Sequence, residues 1–413
     1  MALAGGLANA GHHVTLAITG AERKSYAPLA EKLGFRLMQA GHIWNDDEDL
    51  LKKSLKIFGA ANQLAQLNLL LGDMFQPCVE DMYRVARLLC AENDFLIGHF
   101  LVHPLQLAAE ISRKPHITVT LNHSLVPTGL TPPDHIPNLG PLFNPVLWKI
   151  AFMVLNRSIL PSINNLRAAA GVAAVRSFRD VWESRLGNLI AVSPAFFTPD
   201  PAMEKHHRVC GFLSMPENAH AWEMPASLAR FLADGPPPVY MTFGSMASVE
   251  RDAGLITASA RLLADAAKTA GCRAIIQANW DKVSGIPDTP AVYRIASAPH
   301  TRIFPRCAAV VHHGGSGTTQ TALSCGRPSI VVAHILDQYF WGNELKRLGV
   351  GAGPFDRRTT SPEKLGREIC RMLDAPETAA RADALGRQLR AENGVATAVN
   401  IIERTLAKAL PRI

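Results

Sequence analysis

The densest run of chemistry-bearing residues lies between Ala308 and Gln338, where the chain reads AAVVHHGGSGTTQTALSCGRPSIVVAHILDQ. An apolar strand pattern, Ala308–Val311, runs into His312-His313-Gly314-Gly315-Ser316-Gly317-Thr318-Thr319. A helix pattern follows, and then a second apolar strand, Ser329–Ala333. Glycines at a strand-to-helix junction let backbone come close to a ligand. The helix start offers N–H groups without intrahelical partners and a partial positive charge. Together these make a site for a diphosphate. His313 can add a ring donor and Thr318 a hydroxyl to the same oxygens. Asp337 and Gln338 follow the next strand and can aim a carboxylate and an amide at sugar hydroxyls.

The elements around this run alternate. Ala2, Leu3, Leu7 and Ala8 recur at helical spacing, Gly11 is placed as a helix cap, and residues 14–18 are rich in β-formers. Helical patterns over 49–71, 77–91 and 103–112 alternate with strand patterns over 95–98 and 116–121. After a Pro-punctuated stretch at 213–238 the same grammar resumes. Strands are expected at 239–243, 274–276, 308–311 and 329–333, with helices at 252–270, 318–325, 338–348, 361–374, 376–392 and 395–410. Such alternation predicts parallel sheets with crossover helices, and two blocks of similar size predict two Rossmann-like halves.

Bulk composition narrows the classes. The 413 residues exceed what one core usually holds, and 48% apolar with 19% charged residues describe a globular chain. A formal charge of +7 suits anionic partners, but no Lys/Arg run with interleaved aromatics points to nucleic acid. Seven cysteines (78, 90, 210, 272, 307, 325, 370) lack a CxxC pair, which fits reduced thiols in a cytoplasmic protein. Met1 leads into an Ala/Leu/Gly stretch with no basic n-region or cleavage site, so a secretory signal is not expected. Residues 142–160 are apolar but carry Asn144, Lys149, Asn156 and Arg157. They read as a buried or half-buried helix rather than a membrane span, with an interfacial helix and peripheral membrane contact as the alternative. Asp46-Asp47-Glu48-Asp49 contains a D-x-D spacing. It follows no apolar strand and reads as a solvated run in a polar loop, so no metal site is expected.

The stretch 297–354 resembles the donor-binding signature of family 1 glycosyltransferases, the UDP-glycosyltransferase superfamily. It is most similar to the bacterial and fungal branch that glucosylates sterols, lipids and glycopeptide aglycones. Ser297-Ala298-Pro299-His300, the HHGGSGTT loop and Asp337-Gln338 with Trp341-Gly342 carry the likeness. Phe243-Gly244-Ser245-Met246, Pro137-Asn138-Leu139-Gly140 and Asn144 extend it weakly. The resemblance implies an α/β GT-B fold of two Rossmann-like domains with parallel sheets facing a cleft. Residues 1–213 would bind the acceptor and 226–413 the nucleotide sugar, with the last helix packing back on the first domain. His313 and Thr318 would contact the diphosphate, Gly315, Ser316 and Gly317 would offer amides, and Gly244 and Ser245 would approach from the facing loop. His300 would lie at the uracil, and Asp337 and Gln338 at the hexose. Ser297 and Thr321 replace the Trp and Glu that plant members use for base and ribose, so UDP and dTDP both remain open. The implied reaction is an inverting, metal-independent transfer of a hexose from a UDP-sugar to a hydrophobic hydroxyl acceptor, with no cofactor.

In that family the base, His or Asp, follows the first N-terminal strand. Met1 aligns with the next helix, so a strand of about 5–6 residues and a loop of about 2–6 are unaccounted for. His99 aligns with the position that orients the base and is the one candidate; no base is assigned. A non-catalytic sugar-nucleotide binder is therefore the alternative. An NAD(P)-dependent oxidoreductase fits less well, because Gln320 stands where the third fingerprint glycine belongs and no acidic residue ends the next strand.

Overall fold

A computed structural model describes the chain except residues 20–25, 42–46, 125, 134–135, 198, 202, 217–221, 245–251 and 410–413. Twelve strands are described: β1 Thr15–Ile18, β2 Arg36–Gln39, β3 Leu96–His99, β4 His116–Thr120, β5 Asn188–Ile190, β6 His207–Val209, β7 Val239–Thr242, β8 Ala274–Gln277, β9 Val292–Ile295, β10 Ala309–His312, β11 Ser329–Ala333 and β12 Gly351–Asp356. All described pairings are parallel.

The chain divides into two units. One comprises Met1–Asn45, Leu67–Met215 and Glu392–Ile413; the other comprises Asp46–Gln66 and Pro216–Ala391. Residues 46–66, which contiguity assigns to the first half, thus side with the second.

The second unit is built on a six-stranded sheet of order β12-β11-β10-β7-β8-β9. β7, β10 and β11 are buried along their whole length, as expected of parallel strands covered on both faces. One face is covered by helices Ala253–Ala270 and Pro362–Leu373, whose Ile256, Leu263, Leu365 and Ile369 are buried. Their ends are written in sequence. Asp252 accepts from Leu255 N at 2.7 Å, Gly271 closes that helix at φ +61°, and Ser361 caps the next.

The first unit contains a two-stranded sheet, β1-β2, and a four-stranded sheet, β3-β4-β5-β6. The two share packing on both sides: Ala17 and Met38 meet the cluster around Leu96, and Val14 meets the cluster around Ile117. β1 and β3 each stand at an edge of their sheet. The last helix, Gly394–Ala409, packs on helix Ala2–Asn9 within this unit, where Ala398, Val399 and Ile402 join Leu7.

One helix runs on past its apolar stretch, and one expectation needs correction. Helix Asn144–Ala169 runs 26 residues, is long and apolar enough to cross a membrane, and has only 17% of its most apolar window buried. The helix runs past the apolar stretch through Ser162, Asn164, Asn165 and Arg167 to Ala169, and nothing in the sequence shows which face goes unpacked. The 49–71 helix is broken at Gly59. Asn62 Oδ1 caps a new start by accepting from Ala65 N, and Leu70–Phe75 is π-helical.

Candidate nucleotide-sugar site

β10 delivers its C-terminal end to the middle of the six-stranded sheet, between β7 and β11. His312, the last strand residue, is fully buried, and its Nδ1 accepts from Gly314 N at 3.0 Å, which folds the chain into the turn. Gly314 has φ +91°, and a Cβ there would fall 2.7 Å from Gln338 O. Helix Ser316–Ser324 then starts with no side-chain cap among the described residues, and a helix start is where backbone N–H groups can meet an anion. Thr319 Oγ1 bonds back to Gly315 O, whereas Gly317 is exposed and Thr318 half-buried at the open end.

The His313 ring sits between two glycines. A Cβ on Gly244 would lie 2.6 Å from His313 Cε1, and one on Gly315 would lie 2.5 Å from Nε2. Both distances are too short for any side chain, so these glycines fix the ring's place as well as freeing backbone. Gly244 has φ +54° and its N–H donates to Thr242 Oγ1. His313 is 4% exposed, and its Nδ1 is buried without a partner. Such an atom costs about 1–3 kcal/mol and is a feature that functional sites retain. Burial, then the neighbouring His300, holds its pKa down to about 4, so the ring is neutral at pH 7.

The other expected residues fall around this turn. His300 stacks on Phe304 at 4.5 Å, and its Nε2 lies 3.4 Å from Gln277 Oε1, which also accepts from Tyr240 Oη at 2.7 Å. Burial lowers the His300 pKa to about 4. Ser316 Oγ accepts from Gln320 Nε2. Asp337 is the first residue of helix Asp337–Arg347. Gln338 is 3% exposed, and its Oε1 accepts from His334 N at 2.7 Å and Ile335 N at 3.2 Å. Its carbonyl is therefore occupied by its own loop, which leaves the amide NH₂ for a ligand. Ser245 lies outside the described residues.

In the first unit, His99 ends β3 with its ring 4.2 Å from Phe100. Its Nδ1 accepts from Leu101 N at 3.4 Å, which places the proton on Nε2, and burial lowers its pKa to about 4. In that tautomer Nε2 is a donor. Asn144 is fully buried and holds its own loop: Nδ2 donates to Gly129 O and Asn138 Oδ1, and Oδ1 accepts from Leu139 N. A small apolar pocket of about 30 Å³ opens beside β3, walled by Leu71, Phe75, Phe100, Leu101 and Trp182. His103, Ser158 and Ser162 are its polar lining; His103 Nε2 is buried without a partner, and burial lowers that pKa to about 4.

Sequence reading missed this cavity, because its walls come from separated segments. The D-x-D run begins a helix instead of filling a loop, and Glu48 and Asp49 pair with Lys52 and Lys53 along it; Asp46 lies outside the described residues. A second titratable cluster joins Glu183, His206 and His207, whose ligand atoms lie within 4.8 Å of one another. Asn188 Oδ1 accepts from Thr118 and Thr120, so its Nδ2 donates to His207 Nδ1 and turns His207 Nε2–H toward Glu183 at 3.2 Å. Arg179 Nε holds the other carboxylate oxygen at 2.9 Å. The groups a cation would need are thus already engaged in an ion-paired network.

Parallel sheets in two α/β units, with a glycine-rich strand-to-helix turn in the second, define a GT-B architecture. The family described as erythromycin biosynthesis protein CIII-like, C-terminal domain, matches residues 257–404. A sterol 3-beta-glucosyltransferase of Aspergillus terreus is 28% identical over 360 residues, 82% of this chain and 25% of that protein. The sterol 3-beta-glucosyltransferase UGT80B1 of Arabidopsis thaliana is 35% identical over 179 residues, 43% of this chain and 28% of that protein. The chain spans about a quarter of the length of the curated relatives it matches first. Among solved structures, the glycotransferase of kitacinnamycin superposes with a TM-score of 0.69 at 20% identity, covering 98% of this chain and 94% of that one. The chain thus has the GT-B fold, and its sequence is similar to those of sterol 3-beta-glucosyltransferases.

Proposed function

We propose that the protein transfers a hexose, glucose by likeness, from a UDP-sugar to the hydroxyl of a sterol or similarly apolar alcohol. The observation that carries this reading is the His313 ring clamped between Gly244 and Gly315 beside an uncapped helix start. A neutral imidazole, open backbone amides and the helix dipole are the groups that stabilise charge building on a leaving diphosphate. They do this without a cation, and we read the displacement as metal-independent and inverting. Asp337 and the Gln338 amide would orient the hexose. The apolar lining of the small pocket beside β3 agrees with a hydrophobic acceptor, and its neutral His103 would supply a polar contact for the hydroxyl once the pocket widens to admit it.

The exposed face of helix Asn144–Ala169 and the residues before it, with Leu142 85%, Phe143 60% and Met153 54% exposed, supports peripheral membrane contact for such an acceptor.

The test is calorimetry with UDP, and transfer from UDP-glucose to a dispersed sterol, on wild type and His313→Ala. Transfer should fall by about 10²–10³-fold, the usual consequence of losing one preorganised donor. UDP affinity should weaken while the variant stays folded, as a cooperative thermal transition reports. Unchanged UDP affinity would reduce the loop to a turn.

A further inference from the structure

The loop that carries Asp337 and Gln338 has an unusual backbone. Leu336 stands at φ +32° and ψ −112°, and Gln338 N donates to Ile335 O at 3.1 Å. These are the features of a type II′ turn with Leu336 at its first central position, a place that glycine normally takes. Arg113 and Leu336 are the two non-glycine residues with positive φ among the described residues. A leucine stays there only if its surroundings over-determine it.

Two glutamines do so. Gln338 holds the loop from within, accepting from His334 N and Ile335 N. Gln66 holds it from far away in sequence. Its Oε1 accepts from Leu336 N at 3.3 Å, and its Nε2 donates to His334 O at 3.2 Å and to Ile57 O at 3.3 Å. Gln66 is 6% exposed. The rest of its segment is fastened to the same region. The Phe58 ring meets His334 edge-on at 6.3 Å, and Arg358 Nη1 donates to Ala60 O at 2.7 Å while its guanidinium pairs with Asp356.

We propose that Gln66 is a positioning residue for sugar recognition: by holding Leu336 in its II′ conformation it sets where helix Asp337–Arg347 begins, and with it Asp337 and the Gln338 amide. The proposal rests on the reading of the β10 turn as a nucleotide-sugar site. It predicts a larger effect on the sugar than on the nucleotide, because the diphosphate turn, although Gly314 packs on the Gln338 backbone, has its own hold in the His312 hydrogen bond and in the close approach of Gly244 and Gly315 to His313.

The experiment compares wild type, Gln66→Ala, Gln66→Met and the pair Gln66→Ala/Leu336→Gly in the full chain. Calorimetry gives Kd for UDP and for UDP-glucose, and thermal midpoints report folding. For Gln66→Ala and Gln66→Met, the UDP-glucose Kd should rise about tenfold, the scale of a lost hydrogen-bonded alignment. The UDP Kd should stay within about twofold. Glycine holds the II′ conformation without help, so Leu336→Gly should recover much of the loss. Equal weakening of UDP and UDP-glucose, or no weakening of UDP-glucose, would overturn the proposal, as would a double variant no better than the single one. Failure of the site reading itself shows separately, as wild-type UDP binding that His313→Ala leaves intact.

Discussion

Two strand-to-helix turns in this molecule start alike and end differently. β10 finishes on His312, whose Nδ1 accepts from the amide two residues on, at Gly314; β3 finishes on His99, whose Nδ1 accepts from the amide two residues on, at Leu101. Each then feeds a helix. After β10 come His313, Gly314 and Gly315, so backbone is bare and the helix start stays open. After β3 come Phe100, Leu101 and Val102, with Pro104 inside the helix start, and the same kind of turn becomes the wall of an apolar cavity. Parallel-sheet geometry supplies the position at the strand's carboxyl end. On the function proposed above, the three residues after each strand would decide whether a diphosphate or a hydrocarbon suits it.

The sharpest way to break that contrast is Gly315→Ala. Its methyl would meet the His313 ring at 2.5 Å, so the ring or the turn must move. Transfer should fall by about 10²-fold, and UDP affinity by about tenfold. Turnover and calorimetry on the variant check it, and wild-type values would show that the glycine only makes a turn. A smaller effect is expected at the other turn. Phe100→Ala enlarges the cavity beside β3 and should raise the KM for a sterol acceptor by about tenfold, since a lost aromatic contact is worth on the order of 1–2 kcal/mol. The UDP Kd should not move. If it weakens as much as the sterol KM, the two turns do not divide the substrates as argued.

The smallest and most general effect concerns pH. His99, His103, His300 and His313 are held near 4, and His334 near 3, each first by burial. Folded-state values below the ordinary 6.5 mean that the unfolded chain takes up protons first as pH falls. The stability from these neutral rings is therefore complete above about 6.5 and is lost progressively toward pH 4. The thermal midpoint should be flat from pH 8 to 7 and then decline. Removing His313 (His313→Ala) should lessen the decline slightly. A midpoint independent of pH between 6.5 and 4.5 would mean that the rings are not buried as neutral groups.

Much of the second unit was legible because its signals are local. A run such as Val239-Tyr240-Met241-Thr242 has to be a covered parallel strand, and Asp252, Gly271, Ser361 and Gly326 mark helix ends by their own conformational preferences. The diphosphate turn could be read because strand, glycines and helix start are contiguous. β5 and β6 escaped notice because each is three residues long, and β12, Gly351–Asp356, because Gly and Pro erase the strand pattern that pairing with β11 imposes.

The sequence by itself determined the alternating α/β order, the β10 turn and the residues at its mouth. Tertiary structure alone decided that Gly244 and Gly315 serve the His313 ring, that the Gln338 carbonyl faces its own loop, and that Gln66 reaches Leu336. It also decided which face of helix Asn144–Ala169 stays uncovered. The reason is physical. Backbone preferences act over three or four residues and leave their mark in the order of residue types. Steric exclusion, buried hydrogen bonds and packing act between side chains hundreds of residues apart, and only the folded chain brings those together.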